Sequence, residues 1–510
     1  MRMPREMTQR RDGSEKQEAQ DHGTQQAAAS GPGKRKKTNF ALSFGQQRMW
    51  VLEQFEPGSP LYDVSGALRM RGRLDVAALE RSLNEIIARH ESLRCSFIME
   101  RDVPVQLIAP SVQLPLAVVD LSALEPKARE QEVQRLGTLE ARRGFDLAQG
   151  PLVRAKILRL SPTEHVLLLG MHHIVSDGWS LGVFFKELAA LYGAFSQGRP
   201  SPLKPLPIQY VDYAAWQRQW LKGEALDKLL GFWKRQLQGV EPLDLKTDRP
   251  RGAGQGGNGA QRTFLFSSGL AERLHTLSRQ RGATLFMTLL AGFKALLWRY
   301  TRQEDLTVGT PVANRNQAEL EGLIGFFLNT LVLRNEVSGD EPFTELLERV
   351  RRGTLDAFAH QEAPFDRVVE AVQPERDLTR TPLFQVMFSV QNLRDETSSM
   401  RLPGLELSAH ELDTGTAKFD LMFTLGEKPG GLSVGVEYDT GLFDDGTIER
   451  MAHHFEVLLT GIVARPEARL RELSLLSEAE TRALLEDWAR PERDSGLDRF
   501  PELWEARTRL

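Results

Sequence analysis

Two adjacent histidines stand four positions ahead of an aspartate-glycine pair in the run Met171-His172-His173-Ile174-Val175-Ser176-Asp177-Gly178-Trp179-Ser180. An imidazole changes charge near neutral pH, so at a strand end it can act as acid, base or hydrogen-bond acceptor. The apolar residues Val166, Leu167, Leu168 and Leu169 before the pair read as a buried strand. Neighbouring strand residues point to opposite faces, so one histidine can address a cleft while the other must be satisfied in a core. Asp177 stands where a helical pattern begins, a place where a carboxylate caps backbone N–H groups or pairs with a cation.

Other chemistries fit these residues poorly. No metal site is expected, because His172 and His173 cannot converge on one ion and no third ligand sits at ligand spacing. A serine hydrolase lacks its G-x-S-x-G, and Ser176 lies too close to His173 in sequence to be set as its nucleophile. Gly252, Gly254 and Gly257 satisfy G-x-G-x-x-G, but Pro250 just before them ends any strand. A dinucleotide site needs a strand there, so this is read as a flexible linker.

The elements that must position the histidines alternate between helix and strand. Val76, Leu79, Leu83, Ile86 and Ile87 share one helical face over 75–89. Strands are expected around 104–108 and 152–160, and a helix over 180–195 with Leu181, Phe184, Phe185, Leu188 and Leu191 inward. This is an α/β sandwich. A second lobe of similar size follows the linker, with helices over 269–300, 341–359 and 446–464 and strands near 305–313, 384–391, 417–425 and 432–438. The expected organisation is a disordered leader (1–38), an N-terminal lobe (39–239), a linker (240–262), a C-terminal lobe (263–466) and a linker towards a following domain (467–510). The leader holds nine Lys/Arg and no Leu, Ile, Val or aromatic residue, so it cannot bury enough apolar surface to fold.

Composition bounds the rest. Across 510 residues, 65 basic against 69 acidic side chains leave a net charge of −4, with 41% hydrophobic and 26% charged residues. This is an ordinary globular balance with no electrostatic case for nucleic acid or a membrane surface. No apolar stretch approaches the ~18 residues of a membrane span. A single cysteine, Cys95, excludes an internal disulfide framework and points to a reducing cytoplasm.

The histidine run resembles the H-H-x-x-x-D-G signature of the condensation domains of nonribosomal peptide synthetases. Further runs resemble other motifs of that family, in order: Leu42 to Trp50, Arg89 to Phe97, Tyr210 to Trp216, Ile324 to Thr330 ending at Arg334, His360 to Asp366, and Arg376 to Leu383. Gly45 stands where alanine is common, and Cys95 replaces a usual threonine. The resemblance implies a V-shaped pseudo-dimer of two chloramphenicol acetyltransferase-like α/β lobes around a tunnel. In such domains an amide bond forms between a donor acyl thioester and the amine of an aminoacyl thioester on an acceptor peptidyl carrier protein. The implied donors are an acyl-CoA, an acyl carrier or an upstream carrier, and a following synthetase domain is an implied partner. The domain would bind no cofactor of its own, since its substrates ride on phosphopantetheine or CoA.

By resemblance His173 is the active-site histidine, grouped in the signature with His172, Asp177 and Gly178. Asp177 is the structural partner, with Arg315 the candidate cation; Gly178 would lie near the thioester and Asn329 near the lobe junction. Arg89, Arg94 and Asp212 are read as structural ion pairs, Trp50 and Trp216 as core, and Trp179 and Ser180 as channel candidates. The retained histidines separate the chain from heterocyclisation and recruitment-only relatives. Trp179 ahead of Ser180 separates it from epimerisation domains. Met1 and the leader suggest a starter domain that N-acylates the first amino acid. The alternatives are an internal elongation domain with a peptidyl donor and a noncatalytic carrier-docking scaffold.

Overall fold

The structure, a computed structural model, describes residues 39–252, 257–373, 380–391, 402–410, 412 and 415–489. The leader, Gly254, residues 376–379 of the last motif and the end of the chain beyond 489 lie outside the described residues.

The N-terminal half supplies seven strands: β1 (Asn39–Ala41), β2 (Asp63–Arg71), β3 (Cys95–Glu100), β4 (Val103–Ile108), β5 (Ala117–Asp120), β6 (Val153–Ser161) and β7 (Glu164–His172). Its helices are α1 (Phe44–Phe55), α2 (Val76–Arg89), α3 (Pro126–Ala141), α4 (Gly178–Phe195), α5 (Tyr210–Trp220) and α6 (Glu224–Leu237). Ser43 and Gln46 start α1 with a reciprocal capping box, which satisfies two backbone donors that a helix start leaves free. Asp75 caps α2, whose stripe of Leu79, Leu83, Ile86 and Ile87 is at most 1% exposed. On α4, Phe184, Leu188 and Leu191 are buried as expected, while Leu181 and Phe185 are only partly so.

The C-terminal half holds β8 (Gly259–Ser267), β9 (Asp305–Val312), β10 (Asn329–Glu336), β11 (Val386–Gln391), β12 (Glu406–His410), β13 (Leu421–Lys428) and β14 (Gly431–Asp439). Its helices are α7 (Ser268–Gln280), α8 (Leu285–Thr301), α9 (Ala318–Glu321), α10 (Phe343–Ala359), α11 (Phe365–Val372), α12 (Asp445–Ala464) and α13 (Glu478–Ala489). The helical stretch expected over 269–300 breaks at Gly282, whose φ of 58° ends α7. β8 begins inside the stretch read as linker and pairs along its length with β14.

Six strands of the second half form one sheet, β10-β9-β11-β13-β14-β8. The first half builds a three-stranded sheet, β1-β4-β3, and a five-stranded one, β12-β2-β7-β6-β5. The edge strand β12 therefore crosses from the second half and adds antiparallel to β2. A second crossing is apolar: Ile324 and Phe326, from the loop before β10, are buried in the N-terminal core. The chain comes so close there that a Cβ on Gly325 would lie 2.0 Å from the Tyr210 ring. Backbone pairing and side-chain packing thus both tie the halves together, the pairing on the β2 residues that face the start of β7 and the packing through the loop before β10.

Candidate active site

β7 ends at His172, and one 3₁₀ turn (His173–Val175) carries the chain to the start of α4. The turn separates the two imidazoles. His172 is 1% exposed; its Nδ1 accepts from Ile174 N at 3.0 Å and its Nε2 faces Glu53 Oε2 at 3.7 Å. Its place among the catalytic candidates is corrected accordingly, because the ring lies inside the protein against Phe145. His173 is partly exposed, with the Phe326 ring edge-on at 5.3 Å. Its Nδ1 lies 2.9 Å from Ser176 O. A carbonyl only accepts, so Nδ1 carries the hydrogen and Nε2 keeps its lone pair. Burial, and after it the charge of Lys418, push the His173 pKa far below the ordinary histidine value. At neutral pH this imidazole is an uncharged acceptor.

Asp177 is the N-cap of α4, 1% exposed. Its Oδ1 accepts from Ser180 N (2.8 Å), Ser180 Oγ (2.7 Å) and Arg315 Nη2 (3.1 Å), and its Oδ2 from Phe327 N (3.0 Å). Arg315 also donates to Leu320 O and Leu323 O and lies over the Phe327 ring at 4.0 Å. Burial lowers its pKa and Asp177 raises it again. The pair spans 138 residues of sequence and joins the helix after the histidines to the crossing loop.

The other expected residues take different places. Ser180 is not a channel wall: it is 1% exposed and within 3.1 Å of Asp177, Arg315 and the Gly325 backbone. Trp179 is 47% exposed and donates to Glu321 O at 2.9 Å, so it bridges the halves at the surface. Gly178 is exposed, and a Cβ there would meet nothing within 4 Å. Asn329 fastens the Gln361–Phe365 segment through bonds to Gln361 O, Ala363 O and Phe365 N. Arg89 pairs with Glu187 as expected. Arg94 instead donates to the carbonyls of Ile87 and Ala109, and Asp212 caps the N-terminus of α5, accepting from Gln209 N. Trp50 and Trp216 are half-buried.

A cavity of about 700 Å³ opens between α1, α11 and the segment before β13. Arg48, Glu53, Tyr62, Asp366, Arg367 and Lys418 supply much of its polar wall. Among the described residues no group of three or more His, Cys, Asp or Glu could hold a metal ion. No described helix is long and apolar enough to cross a membrane. Glu53, Asp63, Tyr210 and Lys418 were not singled out from sequence. For Tyr210, whose hydroxyl donates to Phe326 O, the motif around it was a signal; for the others none was present.

The condensation-domain family model matches residues 36–485. The chain belongs to that family. This condensation domain is 47% identical over 460 residues to a linear gramicidin synthase of Brevibacillus parabrevis, covering 90% of this chain and 9% of that protein. It thus spans about a tenth of that relative. Among solved structures it resembles the X-domain from teicoplanin biosynthesis at a TM-score of 0.77 and 28% identity, over 87% of this chain and 99% of that one. A mutant starter condensation domain of rhizomide synthetase, in complex with C8-CoA and Leu-SNAC, matches at a TM-score of 0.73 and 22% identity, over 86% of this chain and 98% of that one. At that identity the likeness is one of fold.

Proposed function

We propose that this condensation domain joins a donor acyl thioester to the amine of an aminoacyl thioester on an acceptor carrier protein, releasing an amide and a thiol. The observation that carries this reading is the His173 imidazole, uncharged, fixed through Nδ1 and left with a lone pair on Nε2 beside the crossing-loop residue Phe326. As the C–N bond forms, Nε2 accepts the N–H of the attacking amine, takes its proton and hands it to the departing sulfur. A low pKa makes His173 a weak base in the ground state, so the proton moves late. Aligning two tethered reactants supplies effective molarities of about 10⁵–10⁸ M, against roughly 10²–10⁴-fold from a general base. Alignment is therefore the larger share, and Asp177 with Arg315 serves it by fixing the turn.

For the donor, the cavity presents apolar side chains such as Phe44, Leu52, Phe365 and Phe419 as well as the charged Arg48, Glu53, Asp366 and Lys418, so fatty acyl and aminoacyl or peptidyl chains are set against each other in one experiment. The test offers acyl-CoA, acyl-carrier and aminoacyl-carrier donors side by side with an aminoacyl carrier acceptor, read by intact mass. Product from aminoacyl donors supports elongation; product from fatty acyl donors alone contradicts it. No product from any donor across several carrier pairs contradicts the catalytic reading and favours a docking scaffold.

A further inference from the structure

Behind the histidine pair lies a group of buried polar side chains that the reaction above does not use. Asp63 opens β2 directly across from His172 in the β2–β7 pairing. Its side chain is 1% exposed, and neither carboxylate oxygen has a hydrogen-bond partner among the described residues. Ser65, two residues on and so on the same face, has a buried Oγ without a partner, as has His172 at Nε2. Opposite Ser65 stands Gly170, which adds no side chain to fill the space. Buried polar atoms that the protein leaves unpaired are satisfied by water. Four such atoms within two strand positions call for water between them. Glu53, which faces His172 Nε2 at 3.7 Å, and Tyr62, next to Asp63 in the chain, both line the main cavity.

Charged groups face Asp63 from every side. From β6, Arg154 Nη2 lies 3.9 Å away and is itself paired with Glu140 of α3. From α1 comes Glu53, and from the C-terminal half Lys418, which also feels Glu437. Across the sheet lies the His172 ring. We propose that Asp63 is the first proton acceptor of the reaction, taking through this water the surplus proton of the acceptor ammonium.

The inference rests on the amide-forming reading above. At neutral pH most of an α-amine with a pKa near 8 is an ammonium, and it must lose one proton before it can attack. That proton passes to the Asp63 carboxylate, giving free amine and carboxylic acid. The amine then forms the C–N bond, the C–S bond breaks, and the second nitrogen proton reaches sulfur through His173. Asp63 returns its proton to solvent after product leaves. Burial raises the Asp63 carboxyl to about 7, close to the amine it would serve, whereas His173 is held far below it.

The test compares wild type with Asp63→Asn in the whole chain, measuring amide formation on a carrier-bound acceptor from pH 6.5 to 9. The expected loss is about fivefold at pH 6.5, where the amine is nearly all ammonium and part of Asp63 is ionised, shrinking to within about twofold at pH 9, where the amine is already neutral. An aminooxyacetyl acceptor, uncharged at both pH values, is expected to show no loss at either. Asp63→Glu, which keeps the carboxyl, is expected to restore the low-pH rate. A pH-independent loss, or the same loss with the aminooxy acceptor, overturns the inference alone, because it is what a merely structural role produces. A wild type that forms no amide with any carrier pair overturns the reading beneath it as well.

Discussion

Removing the Asp177 carboxylate is the most informative structural perturbation, because one side chain holds both the turn after the histidines and the crossing loop. Asp177→Ala deletes the acceptor for Ser180 N, Ser180 Oγ, Arg315 Nη2 and Phe327 N together. Arg315 then stays buried with the Leu320 and Leu323 carbonyls and the Ser180 hydroxyl as its neutral hydrogen-bond partners and no counter-charge. Both side chains are at most 2% exposed, so solvent does not screen the loss. Breaking a buried pair on one side costs about 3–5 kcal/mol, a large share of the ~5–15 kcal/mol that holds a domain folded. Asp177→Asn keeps a capping oxygen and should lose about 1–3 kcal/mol. The assay is urea unfolding followed by tryptophan fluorescence, with Trp179 reporting at the lobe contact. Adding Arg315→Met to Asp177→Asn should recover part of the loss, since the unpaired cation is then gone. A destabilisation below about 0.5 kcal/mol with activity abolished would refute this reasoning and make Asp177 a participant in the chemistry.

Two glycines of the motifs should behave in opposite ways. Gly325→Ala drives a methyl into Tyr210 at 2.0 Å and should cost about 1–3 kcal/mol by overpacking, seen as a lower melting temperature. Gly178→Ala meets no protein atom within 4 Å, so the melt should move by less than about 1 kcal/mol while turnover falls; unchanged turnover would show that nothing needs the space. Lys294, fully buried with Nζ on the Leu306 and Leu333 carbonyls, has its pKa lowered to about 7 by burial. The unfolded chain therefore binds more protons than the folded one between pH 7 and 10, and stability rises with pH across that window. Relative to Lys294→Met, wild type should gain up to about 4 kcal/mol from pH 7 to 10 in denaturation midpoints; parallel curves would contradict it.

The legibility of the sequence followed the range of the forces involved. The helix of 75–89, the strand into the histidines and the capped helix after them are written in local apolar spacing and capping residues, and they stand where that spacing puts them. Strand alternation predicts that only one of His172 and His173 is buried, whereas the 3₁₀ turn that begins at His173 is what parts the two rings. The partner of Asp177, 138 residues away, was reached through motif resemblance, since no local pattern links the two. β12 escaped because its residues are exposed or half-buried; an edge strand that adds by backbone bonds needs no apolar signature. β8 escaped because the glycines just before it read as a linker. Asp63 and Lys418 carry no local signal, since their significance comes from burial beside His172 and His173, which only the folded chain creates. Ser180 was misplaced because its hydroxyl is spent on the crossing loop.

The central claim is that His173 takes part in amide formation through a free Nε2. Its most direct test is single-turnover intact-mass kinetics of wild type and His173→Ala, with matched donor and acceptor carriers and equal folding checked by thermal melts. Loss of about 10²-fold or more in the rate of acceptor mass shift, with an unchanged melt, is what the geometry predicts. A variant that keeps more than about a tenth of the wild-type rate would contradict it and leave positioning alone as the source of catalysis.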